Sequence, residues 1–199
     1  MDNLLADPSF EAGDRGAWGS TQADLDWIEG DAHTGTTHLR VRSTGAGNRN
    51  VQALPPVPCL PGAVVSAGGW ARWVAGTPRP MTVMCQFLNA SGGQVGNVIG
   101  QPVTPAPGGW SPFVSLAAVA PTGTAAVRYQ ARINSAAAGD TVDLDTMALA
   151  FGDTVDPDPD PPARTLYELW TGTRLLPVVA WHVVLPGGGT APLRMPAPR

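Results

Sequence analysis

The chain has 199 residues, 43% of them apolar, with 24 Gly, 21 Pro and a net charge of -4. So much Gly and Pro beside an ordinary apolar content favours many short strands joined by tight turns over long helices or disorder. The mild acidity gives no reason to expect a nucleic-acid partner, and because all 12 basic residues are Arg, Schiff-base and Lys-nucleophile chemistry is excluded.

No apolar run approaches the roughly 18 residues of a membrane span. The N-terminus shows no basic n-region and apolar h-region. The expectation is therefore synthesis in the cytoplasm, with any exposure outside the cell reached inside a larger assembly. Cys59 and Cys85 are too few for a disulfide framework, although a single bridge between them is possible. Cys85 sits within an apolar strand pattern and reads as a small core residue.

The opening stretch, Asn3 to Trp18, carries too many turn formers for a targeting helix and too many large apolar residues for a frayed tail. It is expected to form the first edge of a β-sandwich against which the last strand, Thr141 to Phe151, closes. Trp27 and Ile28 mark a short strand within Thr21 to Gly30. A turn at His33 to Thr37 precedes the alternating strand His38 to Arg42, and Gly45 to Asn50 turns again before Val51 to Leu54 and a Pro-rich run.

Period-two patterning is clearest in the middle of the chain. In Val65 to Trp73, Val65, Ala67, Ala71 and Trp73 share one face, opposite Ser66, Trp70 and Arg72. In Met81 to Leu88 the apolar set is Met81, Val83, Cys85 and Phe87, followed by a Gly/Ser hairpin loop at Asn89 to Gly93. In Ala125 to Asn134, Val127, Tyr129, Ala131 and Ile133 face inward and Arg128, Gln130, Arg132 and Asn134 outward. With Gln94 to Ile99, Pro112 to Val119 and Thr141 to Phe151, the strands suffice for two packed antiparallel sheets.

Alternating Asp and Pro over Asp153 to Ala163 read as an extended spacer, its Asp156 to Pro162 core spanning roughly 20 Å. Beyond it, Arg164 to Arg199 reads as a β-hairpin or two consecutive strands. This segment is shorter than the ~40 residues below which a domain rarely folds alone without staples. It is expected to assemble with copies of itself or with a neighbouring protein, through apolar residues such as Leu166, Tyr167, Trp170 and Trp181. The expected organisation is thus a jelly-roll β-sandwich over 1–152, a linker over 153–163 and a short β assembly segment over 164–199.

Recognisable catalytic signatures are missing: there is no nucleophile elbow, zinc-protease helix, P-loop or dinucleotide fingerprint. His33, His38 and His182 are not spaced as metal ligands with Cys or Glu. A glycosidase needs only two carboxylates across a cleft, so this reading ranks behind binding. Strict alternation puts Asp143 and Asp145 on the face of Met147 and Leu149. Each must then be hydrogen-bonded, bound to a metal, or turned outward by a bulge. A hard cation such as Ca²⁺, held by Asp145, Glu11 and backbone carbonyls, would satisfy the pattern, as would solvated strand ends. Trp70, Arg72, Gln86, Arg128, Gln130 and Arg132 form a candidate glycan-binding face, combining an indole with planar amides and guanidiniums. An ordinary solvated face reads the same way. Trp18, Trp27 and Trp110 lie near turns, as core plugs or as the lip of a site.

Several pieces in order resemble carbohydrate-binding modules with a galactose-binding-like jelly roll. They are Asn3 to Gly13 with Trp18, His33 to Val41, Val65 to Arg72, Phe87 to Gly93, Gly109-Trp110, Ala120 to Gly123 and Val142 to Leu149. The resemblance implies a structural calcium between Glu11 and Asp145, with carbonyls near Gly35 and Thr36. Leu169 to Val178, Leu-Trp-Thr-Gly-Thr-Arg-Leu-Leu-Pro-Val, resembles short segments near the ends of minor tail proteins of phages infecting actinobacteria. Together these imply a virion structural protein rather than an enzyme, located in the tail. It would display a glycan-binding-like jelly roll toward a host-surface glycan or other tail proteins. A free-standing lectin is the alternative, with a depolymerase ranked third.

Overall fold

The computed structural model describes residues 3–155 and, beyond them, the backbone of four short strands between Tyr167 and Pro192. The described residues contain one 3-10 turn, Arg15–Ala17, and otherwise strands and loops. Eleven strands build two facing sheets. The first has the order β1 (Trp18–Thr21), β4 (Gly47–Ala53), β10 (Ala126–Ala136), β7 (Met81–Leu88), β8 (Gln94–Ile99), with β5 (Val57–Pro58) also paired to β10. The second has the order β2 (Ala23–Glu29), β3 (Thr37–Ser43), β11 (Thr141–Phe151), β6 (Val64–Ala75), β9 (Ser111–Val119). All these pairings are antiparallel, and the chain switches sheet repeatedly, as in a jelly roll.

The core lies between the sheets and follows the alternation of the strands. Val83, Cys85 and Phe87 of β7 and Val127, Tyr129, Ala131 and Ile133 of β10 meet Leu39, Val41, Ala71, Trp73, Val142 and Leu144 from the second sheet. Tyr129 is buried, and its hydroxyl donates to the Gly68 carbonyl at 3.0 Å. A Cβ on the neighbouring Gly69 would stand 2.5 Å from Met147 Sδ, so a side chain there would have to push Met147 aside. Cys59 and Cys85 are both buried free thiols, and burial pushes the Cys85 thiol up to about 12.

The opening stretch is not an edge strand. It is a chain of turns with Asp7 and Phe10 at positive φ, 44° and 61°. It nevertheless closes on β11 as expected: Leu4 N–H donates to Leu149 O at 2.8 Å and Met147 N–H to Pro8 O at 2.8 Å. Asn3 completes the join, its Nδ2 donating to Met147 O at 2.7 Å. Phe10 is fully buried against Trp18, centroids 5.2 Å apart, and Trp27, 6.5 Å apart. Trp18 and Trp27 therefore plug the core.

Two compact units are distinguished, Met1–Asp160 and Pro161–Arg199. In the second, β12 (Tyr167–Trp170) pairs with β13 (Leu175–Val178) and β14 (His182–Val184) with β15 (Thr190–Pro192), giving two short hairpins. Residues 156–166 lie outside the described residues, so the centre of the Asp/Pro spacer does too, as do Leu166 and Trp181; only backbone is described for Tyr167 and Trp170.

The turn-rich stretch is predicted to be an integral part of the core. Phe10→Ala should lower unfolding free energy by about 3–5 kcal/mol, read from urea denaturation.

Candidate functional site

The six residues singled out as one glycan-binding face do not share a face. Gln86, Arg128, Gln130 and Arg132 project from β7 and β10 on the outer side of the first sheet, whereas Trp70 and Arg72 project from β6 on the outer side of the second. Alternation along a strand separates inward from outward residues but is blind to which sheet the strand joins. The sandwich therefore has two candidate surfaces, on opposite sides.

On the first sheet, cross-strand register aligns polar side chains into a ladder. Gln52, Gln130 and Met84 stand abreast, as do Asn50, Arg132 and Thr82, and Arg128 pairs with Gln86. Gln86 is the hub: its Oε1 accepts from Gln130 Nε2 at 3.1 Å and from Arg128 Nη1 at 3.3 Å, while its Nε2 donates to Gln94 Oε1 at 2.7 Å. Arg132 Nε donates to Asn50 Oδ1 at 2.8 Å. Three buried polar atoms on this face have no hydrogen-bond partner: Thr82 Oγ1, Arg128 Nε and Gln130 Oε1. Gln130 is only 5% exposed and Thr82 4%, so their unmet groups are costly as they stand. Asn50, Gln52, Thr82 and Gln94 belong to this surface although sequence reasoning did not select them. The signal was available in Asn50 and Gln52 alternating with Val51 and Ala53.

On the second sheet the outer surface is satisfied from within. Asp143 is fully buried, yet it faces outward, because β11 carries a bulge. Thr146 has φ 49° and the register with β6 shifts between Asp145 and Ala148. The bulge corrects the expected shared face: Val142 and Leu144 point inward before it, Met147 and Leu149 after it, and both Asp side chains point away. Asp143 accepts from Arg40 Nε at 2.7 Å and Nη2 at 3.0 Å, and from Arg72 Nη2 at 2.8 Å. Burial pushes its carboxyl up, but the Arg40 and Arg72 hydrogen bonds outweigh this and hold it below the usual range. Arg72 also pairs with Asp31 and lies over Trp110, 4.7 Å from the ring centroid. His38 Nε2 lies 3.1 Å from Asp143 Oδ2 but out of line for a hydrogen bond, and burial lowers its pKa. Trp70 stacks on His33 at 4.0 Å. A cleft of about 260 Å³ opens beside this cluster, lined by Asp31, Arg40, Arg72, Trp73, Val74, Gly108 and Asp143. Its charges are already paired and its Trp rings already covered.

Glu11 and Asp145, expected as metal ligands, both bind the turn between β2 and β3. Asp145 Oδ2 accepts from His33 N–H at 2.7 Å and Thr34 N–H at 3.0 Å, and its Oδ1 from Thr146 N–H at 2.6 Å. Glu11 Oε1 accepts from Thr36 N–H at 2.7 Å and Thr37 N–H at 2.6 Å, and its Oε2 from Thr36 Oγ1 at 2.8 Å. Gly35, at φ 68°, leaves room for the Glu11 carboxylate, which a Cβ there would meet at 2.5 Å. Hydrogen bonding overcomes burial at Glu11 and lowers its pKa. At Asp145 burial dominates and the nearby Glu11 charge adds to it, pushing the carboxyl up to about 6 against its backbone donors. Among the described residues, no three or more His, Cys, Asp or Glu side chains gather as a metal cluster.

No protein-family model and no curated protein sequence matches this chain. Solved structures do match it. The C-terminal family 22 carbohydrate-binding module of Clostridium thermocellum xylanase 10B is 18% identical with a TM-score of 0.59, over 75% of this chain and 94% of that one. TmCBM61, solved with β-1,4-galactotriose, is 18% identical with a TM-score of 0.54, over 76% of this chain and all 100% of its own. The enzymatically active domain of tailspike protein 4 from bacteriophage CBA120 is 15% identical with a TM-score of 0.55, over 75% of this chain but only 21% of its own. These likenesses establish the fold, a jelly-roll sandwich shared with carbohydrate-binding modules.

The buried Asp143 hub is predicted to be structural. Asp143→Asn should cost about 3–5 kcal/mol, because it strands two guanidiniums beside a neutral group. The lowered Asp143 pKa means its contribution is present above the unfolded-state value near ~4 and is lost as pH falls through the folded value. Acid denaturation curves of wild type and Asp143→Asn should therefore converge at low pH.

Proposed function

We propose that this chain is a glycan-binding jelly roll, with the glycan lying on the outer face of the β1-β4-β10-β7-β8 sheet. The observation that carries the reading is the row of outward polar side chains on adjacent central strands, Asn50 and Gln52 beside Arg128, Gln130, Arg132 and Gln86. Sugar hydroxyls donate and accept at once, so they can bond to the amide and guanidinium groups of such a row. From β4 to β8 the ladder spans three strand spacings, roughly 14 Å, room for a short oligosaccharide. Among the described residues no Asp or Glu stands on this face, so it offers no acid and base pair for glycoside hydrolysis. The shared fold with carbohydrate-binding modules supports the same reading.

The setting we propose is a virion, with the chain a structural protein of the minor-tail type. It would meet other tail proteins or its own copies through residues 164–199. Support comes from the Leu169 to Val178 segment, the acidic Pro-rich spacer and the two short hairpins over 167–192. A soluble monomer with no partner in purified particles would favour the free-standing lectin instead.

Calcium belongs to the same proposal. Glu11 and Asp145 supply two hard carboxylate donors whose like charges raise each other's cost, and a divalent ion bound there would relieve that cost. Melting in calcium should then exceed melting in chelator. Coincident transitions would leave the turn held by its backbone N–H groups alone.

For the binding face, a glycan array with wild type and variants is decisive. Gln130→Ala and Gln86→Ala should each weaken binding about tenfold, as expected for removing hydrogen bonds in a desolvated site. Trp70→Ala, on the opposite side of the sandwich, should leave binding unchanged. The reverse pattern would move the site to the second sheet.

A further inference from the structure

From the charge on this face we infer that the glycan it takes is anionic, carrying carboxylate, sulfate or phosphate groups. The inference rests on the glycan-binding reading of the first sheet and adds the ligand's chemical class to it. Arg128 and Arg132 are the charged residues on this face, and neither has a carboxylate partner among the described residues. Ion pairs elsewhere take up Arg40, Arg72 and Arg79. The chain as a whole carries -4, so a face bearing two unpaired guanidiniums runs against the net charge. Six of its 16 acids, Asp7, Glu11, Asp14, Asp24, Asp26 and Glu29, lie on the opening stretch and β2 instead.

The side chains also exclude the usual means of holding a neutral sugar. Among the described residues, β1, β4, β10, β7 and β8 point no Trp, Tyr, Phe or His outward: Trp18, Phe87 and Tyr129 all face the core. Without an aromatic platform, neutral hydroxyls exchange water for amides at small net gain. A guanidinium meeting an anion forms a charge-assisted, often bidentate bond, which is substantially stronger. Both guanidiniums are prepared for this. Arg128 is steadied at Nη1 by Gln86, and Arg132 is held at Nε by Asn50, with Nη2 3.6 Å from Met84 Sδ. Four residues apart on one strand, they repeat roughly 14 Å apart along β10. That spacing suits an extended polymer with recurring charges better than a single sugar.

The test titrates the full chain with polygalacturonate and dextran sulfate, and with their neutral counterparts, methyl-esterified polygalacturonate and dextran. The expected result is that at least one anionic polymer binds, at least tenfold more tightly than its neutral counterpart and less tightly as salt rises. Arg128→Gln and Arg132→Gln should each weaken that binding about tenfold with melting unchanged. Arg132→Lys, which keeps the charge, should recover part of it. Equal binding of charged and neutral forms overturns the inference while the glycan-binding reading stands. Anionic binding retained by both Gln variants overturns the assignment to this face. Binding of none of the four polymers overturns the inference, and failure of neutral galactan and xylan in the same assay would take the glycan-binding reading with it.

Discussion

The phase change at Thr146 is the constraint on which the second sheet depends. β11 is the central strand of that sheet, between β3 and β6, and it must contribute to the core along its whole length. An unbroken alternation from Val142 to Leu149 would put either the two carboxylates on the core side or Met147 and Leu149 on the outer side. One extra residue in the ladder resolves the conflict: Val142, Leu144, Met147 and Leu149 are all fully buried on the core side. Immediately past the bulge, β3 no longer pairs with β11, and the opening stretch takes its place through Met147 and Leu149. The bulge therefore also decides where the N-terminal turns can dock. Phe10 reaches the core because Pro8 is held at that point.

Turned outward, Asp143 and Asp145 are still inaccessible, and the protein covers them in two different ways. Asp143 receives guanidiniums from both neighbouring strands, so a buried charge is compensated by charge. Asp145 receives only backbone N–H groups, two from the loop that Glu11 grips further along and one from Thr146 beside it. Dipoles compensate a charge less fully than a counter-ion does. This explains why burial leaves Asp145 raised while Asp143 is lowered.

Much of this was legible in the sequence, because strand existence and inward faces follow from alternation. Met81–Leu88 and Thr141–Phe151 form over the stretches their patterning marks, and Tyr129 points inward as its strand requires. Sheet membership was not legible. β6 and β7 are consecutive and similarly patterned, yet they lie in opposite sheets, so Trp70 and Arg72 were grouped with residues on the far side. Nor does a Thr signal a positive φ in the way a Gly does, which hid the bulge. Gly47 to Asn50 read as a turn from composition. They form the start of β4 because pairing with β10, and for Asn50 with β1 as well, outweighs weak strand propensity. Asn50 was thereby missed as the partner of Arg132.

The two outer faces differ in a way that bears directly on function. One has guanidiniums neutralised by Asp143 and Asp31 and indoles covered by His33 and Arg72, so a ligand would have to displace interactions already made. The other has polar groups that are positioned but incompletely bonded. Its side chains grow from central strands of a packed sheet rather than from loops, and Gln86 restrains two of its neighbours at once. Ordering those rotamers beforehand reduces the entropy lost on binding. What remains for a ligand is to meet guanidiniums and amides that the protein has already positioned. A surface built this way gains more from occupation than the saturated face opposite, and its open, strand-long shape sets no limit on the length of the chain that occupies it.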